Sequence, residues 1–452
     1  MMILYIISCS IFTIAQSDFY YYKGNKIPLT LNGNKVCVSI PKDCDNNTLE
    51  CANTLWGTGK FTASTPDLSA NHLILPNDPM FYQQWGLYNS NYPGIDISAI
   101  SAWNYATGKH VKIAIYDKGV DTTQVDIRSN ISNLSYNAGT GSSPSFVYGV
   151  HGTLCAGIAA AIKDNEKQIV GVAPEATIIS ISNTFNSSYY DPIKIADGIN
   201  WAYQHGADII SNSWYCPNQN ERIDEAIFNA FRYGRQGKGC IIVFAAGNKE
   251  EYENSYDIKY PANSNDTILV VGAINRAGTR ASYSTYGAKL DLVAPGDSIY
   301  STFPNDSVGY ESGTSMACPH VAGVAALILE INPELTVNQV NSIICSTAKK
   351  LSGVDFNVQK TDGMWNNQYG YGLVNAYGSV LNTPTLVYIQ NETISGTRYI
   401  SADSIYVGRD VTDRKEYGDV ILGPGNITLD AGYVEIKNST TVPLGTTLTI
   451  EN

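Results

Sequence analysis

Val111-Lys112-Ile113-Ala114-Ile115-Tyr116-Asp117-Lys118-Gly119 is the stretch on which the fold turns. Apolar, largely β-branched residues run up to a carboxylate, and a glycine then lets the chain reverse. A short run that is apolar on both faces reads as a strand buried on both sides, as in a parallel sheet covered by helices. The texture returns at Ile178-Ile179-Ser180-Ile181, Ala207-Asp208-Ile209-Ile210, Cys240-Ile241-Ile242-Val243-Phe244 and Ile268-Leu269-Val270-Val271. Between these runs the period changes. Residues 193–205 place Ile195, Ile199 and Ala202 on one helical face and stop at Gly206; residues 224–232 are helical; Ser315 opens a helix running to about Glu330. Strands alternating with helices predict an α/β fold, with a mostly parallel central sheet, helices on both faces and right-handed crossovers. In such sheets reactive groups collect at the carboxyl ends of the strands.

Outside residues 77–382 the texture differs. The apolar run from Ile3 to Ile14 is too short to span a bilayer, which takes about 20 residues. It reads as a secretory signal over 1–15 with cleavage near Ala15, although no Lys or Arg precedes it. Residues 16–76 form a small N-terminal segment of α+β or β character. Short strands are expected at Pro28-Leu29-Thr30-Leu31 and Lys35-Val36-Cys37-Val38-Ser39-Ile40, and a loop around Asp45-Asn46-Asn47. Asn77-Asp78-Pro79 is a turn signal that opens the α/β region. Beyond Thr383, runs such as Asp419-Val420-Ile421-Leu422 and Gly432-Tyr433-Val434-Glu435-Ile436 recur between Gly-, Asn- and Thr-rich turns, so 383–452 is expected to be a small all-β module.

With 44% hydrophobic and only 15% charged residues, the 452-residue chain is globular rather than disordered. Its net charge of −12, with no basic run, argues against a nucleic-acid or anionic-membrane partner. No later apolar run is long enough for a transmembrane helix. Of nine cysteines, Cys9 leaves with the signal, and Cys37, Cys44 and Cys51 cluster where export would permit disulfides. The remainder contain no Cys-x-x-Cys pair, which argues against zinc.

Three elements carry chemistry. Asp117 sits just past a strand end before a glycine; alone, a turn explains it. His151-Gly152-Thr153-Leu154-Cys155-Ala156-Gly157 leads into an Ala-rich helix, and small residues there allow close packing beneath the imidazole. Of the five histidines (His72, His110, His151, His205 and His320), only His151 has this context. Ser312-Gly313-Thr314-Ser315-Met316-Ala317-Cys318-Pro319-His320-Val321-Ala322-Gly323 places Ser315 at a helix N-terminus, with Pro319 expected in the first turn. Exposed amides and the helix dipole favour negative charge on an oxygen there, while a capping serine is the plain alternative. Chain order then separates architectures. An α/β-hydrolase needs its His after the Ser, and only His320 follows, too close in sequence to act as an independent base. Asp117, His151, Ser315 is the other order.

From about residue 77 to 381 the chain resembles the subtilisin-like (subtilase) serine peptidases. The resemblance rests on residues 111–126 around the Asp, 151–174 around the His, and Asn212-Ser213-Trp214. It extends to Val243-Phe244-Ala245-Ala246-Gly247-Asn248, to residues 281–296, to the Ser315 block and to Gly370-Tyr371-Gly372-Leu373-Val374-Asn375-Ala376; Gly234-Arg235-Gln236-Gly237-Lys238-Gly239 is similar to the kexin-like branch. It implies a serine endopeptidase acting on protein or peptide substrates. Ser315 would be the nucleophile, His151 the proton carrier, Asp117 its orienting partner and Asn248 the oxyanion donor. It further implies substrate contacts from Ser213, Trp214, Tyr215 and Lys259, and a structural calcium ion near Asp126 and Asp164. Residues 16–76 stand where the family carries a propeptide, which implies a secreted zymogen.

Some residues depart from the family pattern. Lys118 replaces a Ser or Thr, Leu154 stands where a second His is common, and Tyr215 stands where Gly lets the substrate strand approach. Tyr215 keeps a competing reading in view: a weakly active or silent subtilase that binds or adheres to a cell surface or envelope through its C-terminal β module. Cys155 lies one helical turn past His151, as in family members with a thiol under the catalytic imidazole. Lys249 and Lys259 flank Glu250, Glu251 and Glu253, and Lys259 suggests acidic or polar residues before the scissile bond.

Overall fold

A computed structural model describes residues 19–22, 25–32, 35–38, 75–185, 191–412, 415–437, 440–442, 444 and 446–451. The expected signal, the loop around Asp45-Asn46-Asn47, and Cys44 and Cys51 lie outside these residues. The chain divides into two compact units, 1–73 and 74–452. In the first, strands β1 (Phe19–Tyr22), β2 (Asn25–Asn32) and β3 (Lys35–Val38) form an antiparallel meander.

The second unit is built on seven strands: β4 (Lys112–Asp117), β5 (Ile131–Asn137), β6 (Thr177–Ser182), β7 (Ile209–Asn212), β8 (Ile241–Ala245), β9 (Leu269–Ile274) and β10 (Leu292–Pro295). They form one all-parallel sheet in the order β10-β9-β8-β7-β4-β6-β5. The inner strands are buried along nearly their whole length, as their continuous apolar runs require. β5 is the exception. As an edge strand it reads Ile-Ser-Asn-Leu-Ser-Tyr-Asn and is half exposed, so hydropathy did not announce it.

The helices are α1 (Ala99–Ala102), α2 (His151–Ala160), α3 (Pro192–Gln204), α4 (Glu221–Tyr233), α5 (Thr314–Ile331), α6 (Val337–Ser346) and α7 (Ala376–Leu381). Asp191 caps α3 through Ile193 N and Lys194 N, with Pro192 at the first position, and Gly206 ends it at φ +82°. Among the described residues α5 is the one helix long and apolar enough to cross a membrane, but it is a core helix, 83% buried, packed against β7, β8 and β9. Two hairpins complete this region: β11 (Ile299–Phe303) with β12 (Ser307–Glu311), and β13 (Val358–Lys360) with β14 (Gly363–Trp365).

The C-terminal strands are β15 (Leu386–Ile389), β16 (Thr393–Ile394), β17 (Arg398–Ser401), β18 (Ser404–Val407), β19 (Val420–Leu422), β20 (Gly425–Asp430), β21 (Tyr433–Ile436), β22 (Thr440–Thr441) and β23 (Thr446–Glu451). They pair as β15-β18-β21, β16-β19-β22 and β17-β20-β23, all parallel. Every third strand stacks on its predecessor, so the β region is a three-coil parallel β-helix around Ile389, Ile405, Val407, Val420, Leu422, Ile427 and Leu429.

Candidate active site

Because the sheet is parallel, the carboxyl ends of β4, β7 and β8 share one edge, and the N-termini of α2 and α5 face it. Asp117 closes β4. Gly119 then turns the chain at φ +89°, where a Cβ would meet Phe146 O at 2.1 Å. Glycine is therefore required on two counts. His151 is the first residue of α2. Gly152 packs against the Gly119 carbonyl so closely that a Cβ would lie 2.3 Å from it, which brings the imidazole to Asp117.

His151 Nδ1 lies 2.8 Å from Asp117 Oδ1 and 2.9 Å from Oδ2. With Nδ1–H donating to the carboxylate, Nε2 carries the lone pair that can accept a proton. The Asp117 side chain is 3% exposed, and Lys118 N also donates to its Oδ1 at 2.7 Å. The main-chain amide of Lys118 thus serves the carboxylate whatever its side chain is. Burial opposes protonation of His151, but the Asp117 charge outweighs it and, with the Asp117 hydrogen bond and the Cys155 sulfur, holds the imidazole well above 6.5. Cys155 Sγ sits 3.9 Å from both His151 Nδ1 and Asp117 Oδ2, and burial pushes this thiol up. Asp117, His151 and Cys155 are also the one group of potential metal ligands among the described residues.

Ser315 is the second residue of α5, and its Oγ donates to Ser213 O at 3.3 Å. Pro319 is the sixth residue of that helix, not in its first turn as the sequence suggested. Lacking an N–H, it cannot bond the Ser315 carbonyl four residues back. That carbonyl instead accepts Ser213 Oγ at 2.9 Å and Cys155 Sγ at 3.5 Å. The proline so ties the Ser315 backbone to both neighbouring elements. His320 Nδ1 is bonded to Met316 O at 2.8 Å, and burial lowers its pKa to about 4, so it is a neutral structural imidazole.

Asn248 lies three residues past β8. Gly247 N donates to Thr314 Oγ1, and Gly247 O accepts from Thr285 Oγ1 at 2.9 Å. Asn248 Oδ1 accepts from Thr314 N (3.1 Å) and Thr314 Oγ1 (3.0 Å). This fixes the carboxamide with Nδ2 as its free face, and Nδ2 has no acceptor among the described residues.

The other sequence-derived positions divide. Ser213 joins the site through its hydroxyl and carbonyl. Trp214 is 7% exposed, stacked on Phe185 (4.7 Å) and set edge-on to Phe244 (5.0 Å), so its side chain belongs to the core. Alternation puts Tyr215 outward, 45% exposed, with Lys259 Nζ 5.9 Å from its ring centre. Lys259 forms an ion pair with Glu253.

Asp126 and Asp164 are not brought into one ligand set. Asp126 Oδ1 accepts from Asn165 Nδ2 (2.8 Å) and Oδ2 from Ile169 N (2.7 Å), and burial raises its pKa to about 6. Asp164 accepts from Asn77 N at 3.1 Å and pairs with Lys163. Calcium needs several converging oxygens with free lone pairs, and two N–H donors already occupy the Asp126 carboxylate. As arranged, these residues do not fit the ion.

A buried carboxylate, an oriented imidazole, a helix-terminal hydroxyl and a poised amide donor define the serine-peptidase class of site. Residues 108–372 match the model of the subtilase family of peptidases. The chain is 36% identical to subtilisin DY of Bacillus licheniformis over 291 residues, 63% of this chain and 95% of that one. It is 35% identical to thermitase of Thermoactinomyces vulgaris over 305 residues, 68% of this chain and 99% of that one. Among solved structures, a protease from Pseudoalteromonas arctica superposes with a TM-score of 0.56 at 28% identity, covering 68% of this chain and 99% of its own. The chain belongs to the subtilase family and is a subtilisin-like serine endopeptidase.

Proposed function

We propose that the protein is a secreted serine endopeptidase that cleaves protein substrates through Ser315, His151, Asp117 and Asn248. The observation carrying this reading is the Asp117–His151 bond at 2.8 Å beside Ser315, whose hydroxyl points at the Ser213 carbonyl. An aliphatic hydroxyl is a poor nucleophile at neutral pH, so it must lose its proton as it attacks. On substrate binding, rotation about the Ser315 side-chain bond exchanges the 3.3 Å contact with Ser213 O for one with His151 Nε2. Oγ then attacks the peptide carbonyl, Nε2 takes the proton, and Asp117 stabilises the imidazolium. The oxyanion forms at the N-terminus of α5, with Asn248 Nδ2 and the Ser315 amide as donors. His151 returns the proton to the leaving amine, and water repeats the sequence on the acyl-enzyme.

In this reading 1–15 is a signal peptide, 16–76 a propeptide-like segment, 77–382 the catalytic domain and 383–452 the β module, which serves envelope or surface attachment. The mechanism has no step through calcium. The competing view, a silent subtilase that adheres through its β-helix, draws on Tyr215. A fluorophosphonate probe separates the two: labelling that maps to Ser315 and vanishes in Ser315→Ala, together with loss of casein hydrolysis, supports the peptidase. An unlabelled Ser315 in folded protein refutes it.

A further inference from the structure

The hairpin β11–β12 ends at Glu311 and runs straight into Ser312-Gly313-Thr314-Ser315. Its base is closed by Gly313 N donating to Gly296 O and Ser298 N donating to Ser312 Oγ, each at 2.8 Å. Its first strand lies on α2. Ser301 Oγ donates to Leu154 O at 2.8 Å, and Thr302 Oγ1 donates to Thr153 O at 2.9 Å. Both residues are fully buried, and their hydroxyls reach consecutive carbonyls in the first turn of the helix that His151 opens. Gly157 makes the room: a Cβ there would lie 2.2 Å from Thr302 Oγ1 and 2.7 Å from Ser301 Oγ.

The tip of the same hairpin holds the loop that follows Asp117. Asn305 N donates to Asp121 Oδ2 at 2.9 Å, and Val125 N donates to Asp306 Oδ1 at 2.7 Å. Asp121 N in turn donates to Thr153 Oγ1 at 2.9 Å. One hairpin therefore contacts the segments after Asp117 and after His151 and then leads into Ser315. The start of α2 needs such support. Val150 gives it no side-chain cap, and Gly152 and Gly157 each disfavour helix by about 1 kcal/mol relative to Ala. A helix entry held neither by a cap nor by propensity takes its position from what it packs on.

We propose that Ser301 and Thr302 are positioning residues: their hydroxyls lock the first turn of α2, and with it the His151 imidazole, to the hairpin that delivers Ser315. The proposal rests on the peptidase reading above and adds two residues that touch neither substrate nor the reacting atoms. Thr153 O and Leu154 O also accept the helix's own amides four residues on. Removing a hydroxyl therefore costs alignment more than it strands a buried acceptor.

The test measures kcat, KM and the pH profile of kcat/KM on a fluorogenic peptide, with a thermal midpoint for each variant. Ser301→Ala combined with Thr302→Val should lower kcat about tenfold and leave KM within about twofold, because alignment is lost and substrate contacts are not. The acid limb of the profile should move down towards 6.5. An imidazole loosened from Asp117 loses the charge that holds it up against burial and keeps only the Cys155 sulfur beside it. Thr302→Ser keeps the donor and should hold kcat within about twofold of wild type. Val340→Ala, a buried site on α6, is the control: its midpoint should fall while kcat and the limb stay where they are. If the double variant does not fold, Ser301→Ala and Thr302→Val taken singly should each cost about threefold in kcat with the same direction of limb movement. The brace is refuted, and the peptidase reading kept, by variants that label at Ser315 and hold wild-type kcat. A limb that stays in place while kcat falls refutes it equally, as does a Thr302→Ser that loses as much as Thr302→Val. A folded wild type whose Ser315 takes no fluorophosphonate label overturns the peptidase reading and this one with it.

Discussion

Gly152→Ala tests how tightly the catalytic alignment depends on backbone packing. The added methyl would lie 2.3 Å from Gly119 O, 3.0 Å from Gly119 C and 3.2 Å from Asp117 Cβ. Relief to 3.0 Å from the oxygen requires a shift of at least 0.7 Å (3.0 − 2.3) between the turn after β4 and the start of α2. Those two segments carry Asp117 and His151. Misplacement by about 1 Å costs on the order of 10²-fold in rate, so kcat/KM should fall between roughly tenfold and 10²-fold. Overpacking should also cost about 1–3 kcal/mol of stability. The assay is kcat/KM on a fluorogenic peptide with a parallel thermal midpoint. Gly432→Ala is the control, since its methyl meets nothing nearer than Asp403 O at 3.4 Å. If Gly152→Ala loses stability as expected but keeps kcat/KM within twofold of wild type, the close contact holds the fold and not the alignment, and the reasoning is wrong.

Four further outcomes are expected. Asn248→Ala should lower kcat by about 10²–10³ with little change in KM; that range is the known effect of the corresponding side chain in subtilisin, a relative, not a value derived from this chain. Mercurials should inactivate the enzyme by displacing His151, with Sγ only 3.9 Å from Nδ1, and Cys155→Ala should resist them; full activity of a stoichiometrically mercurated Cys155 would contradict this. Because His151 must be neutral to accept a proton and Asp117 holds it well above 6.5, activity should rise with pH along a limb centred above 6.5, and a limb at or below that value would count against the pairing. Removing calcium with EDTA should leave the thermal midpoint unchanged, because amide donors already satisfy Asp126; a fall of several degrees would show that a cation displaces them.

Much of the fold was legible because the central strands are buried on both faces and spell unbroken apolar runs, as Ile113-Ala114-Ile115 and Ile241-Ile242-Val243 do. Where that condition fails, legibility fails: β5 pairs on one side only and carries Ser132, Asn133 and Ser135. The β-helix stayed hidden for another reason. Its strands are two to six residues long, and the strands that stack begin at Leu386, Ser404 and Tyr433, so no constant period marks them. At the candidate site, chain order and flanking glycines pointed to Asp117, His151 and Ser315, and the family resemblance added Asn248. They could not say that Trp214 faces the core, that Lys259 is paired, or that Pro319 frees the Ser315 carbonyl. Each of those depends on which way a side chain points, or on a helix register shifted by a single residue.

The stacked C-terminal coils carry an evolutionary consequence. A coil bonds only to the one before and the one after it, so insertions or deletions of whole coils leave the remaining interfaces intact. Each added coil lengthens the stack by one inter-strand spacing, about 4.8 Å. Such a module can change length by simple duplication without any compensating change around Ser315, which would let related chains vary their reach while their chemistry stays fixed.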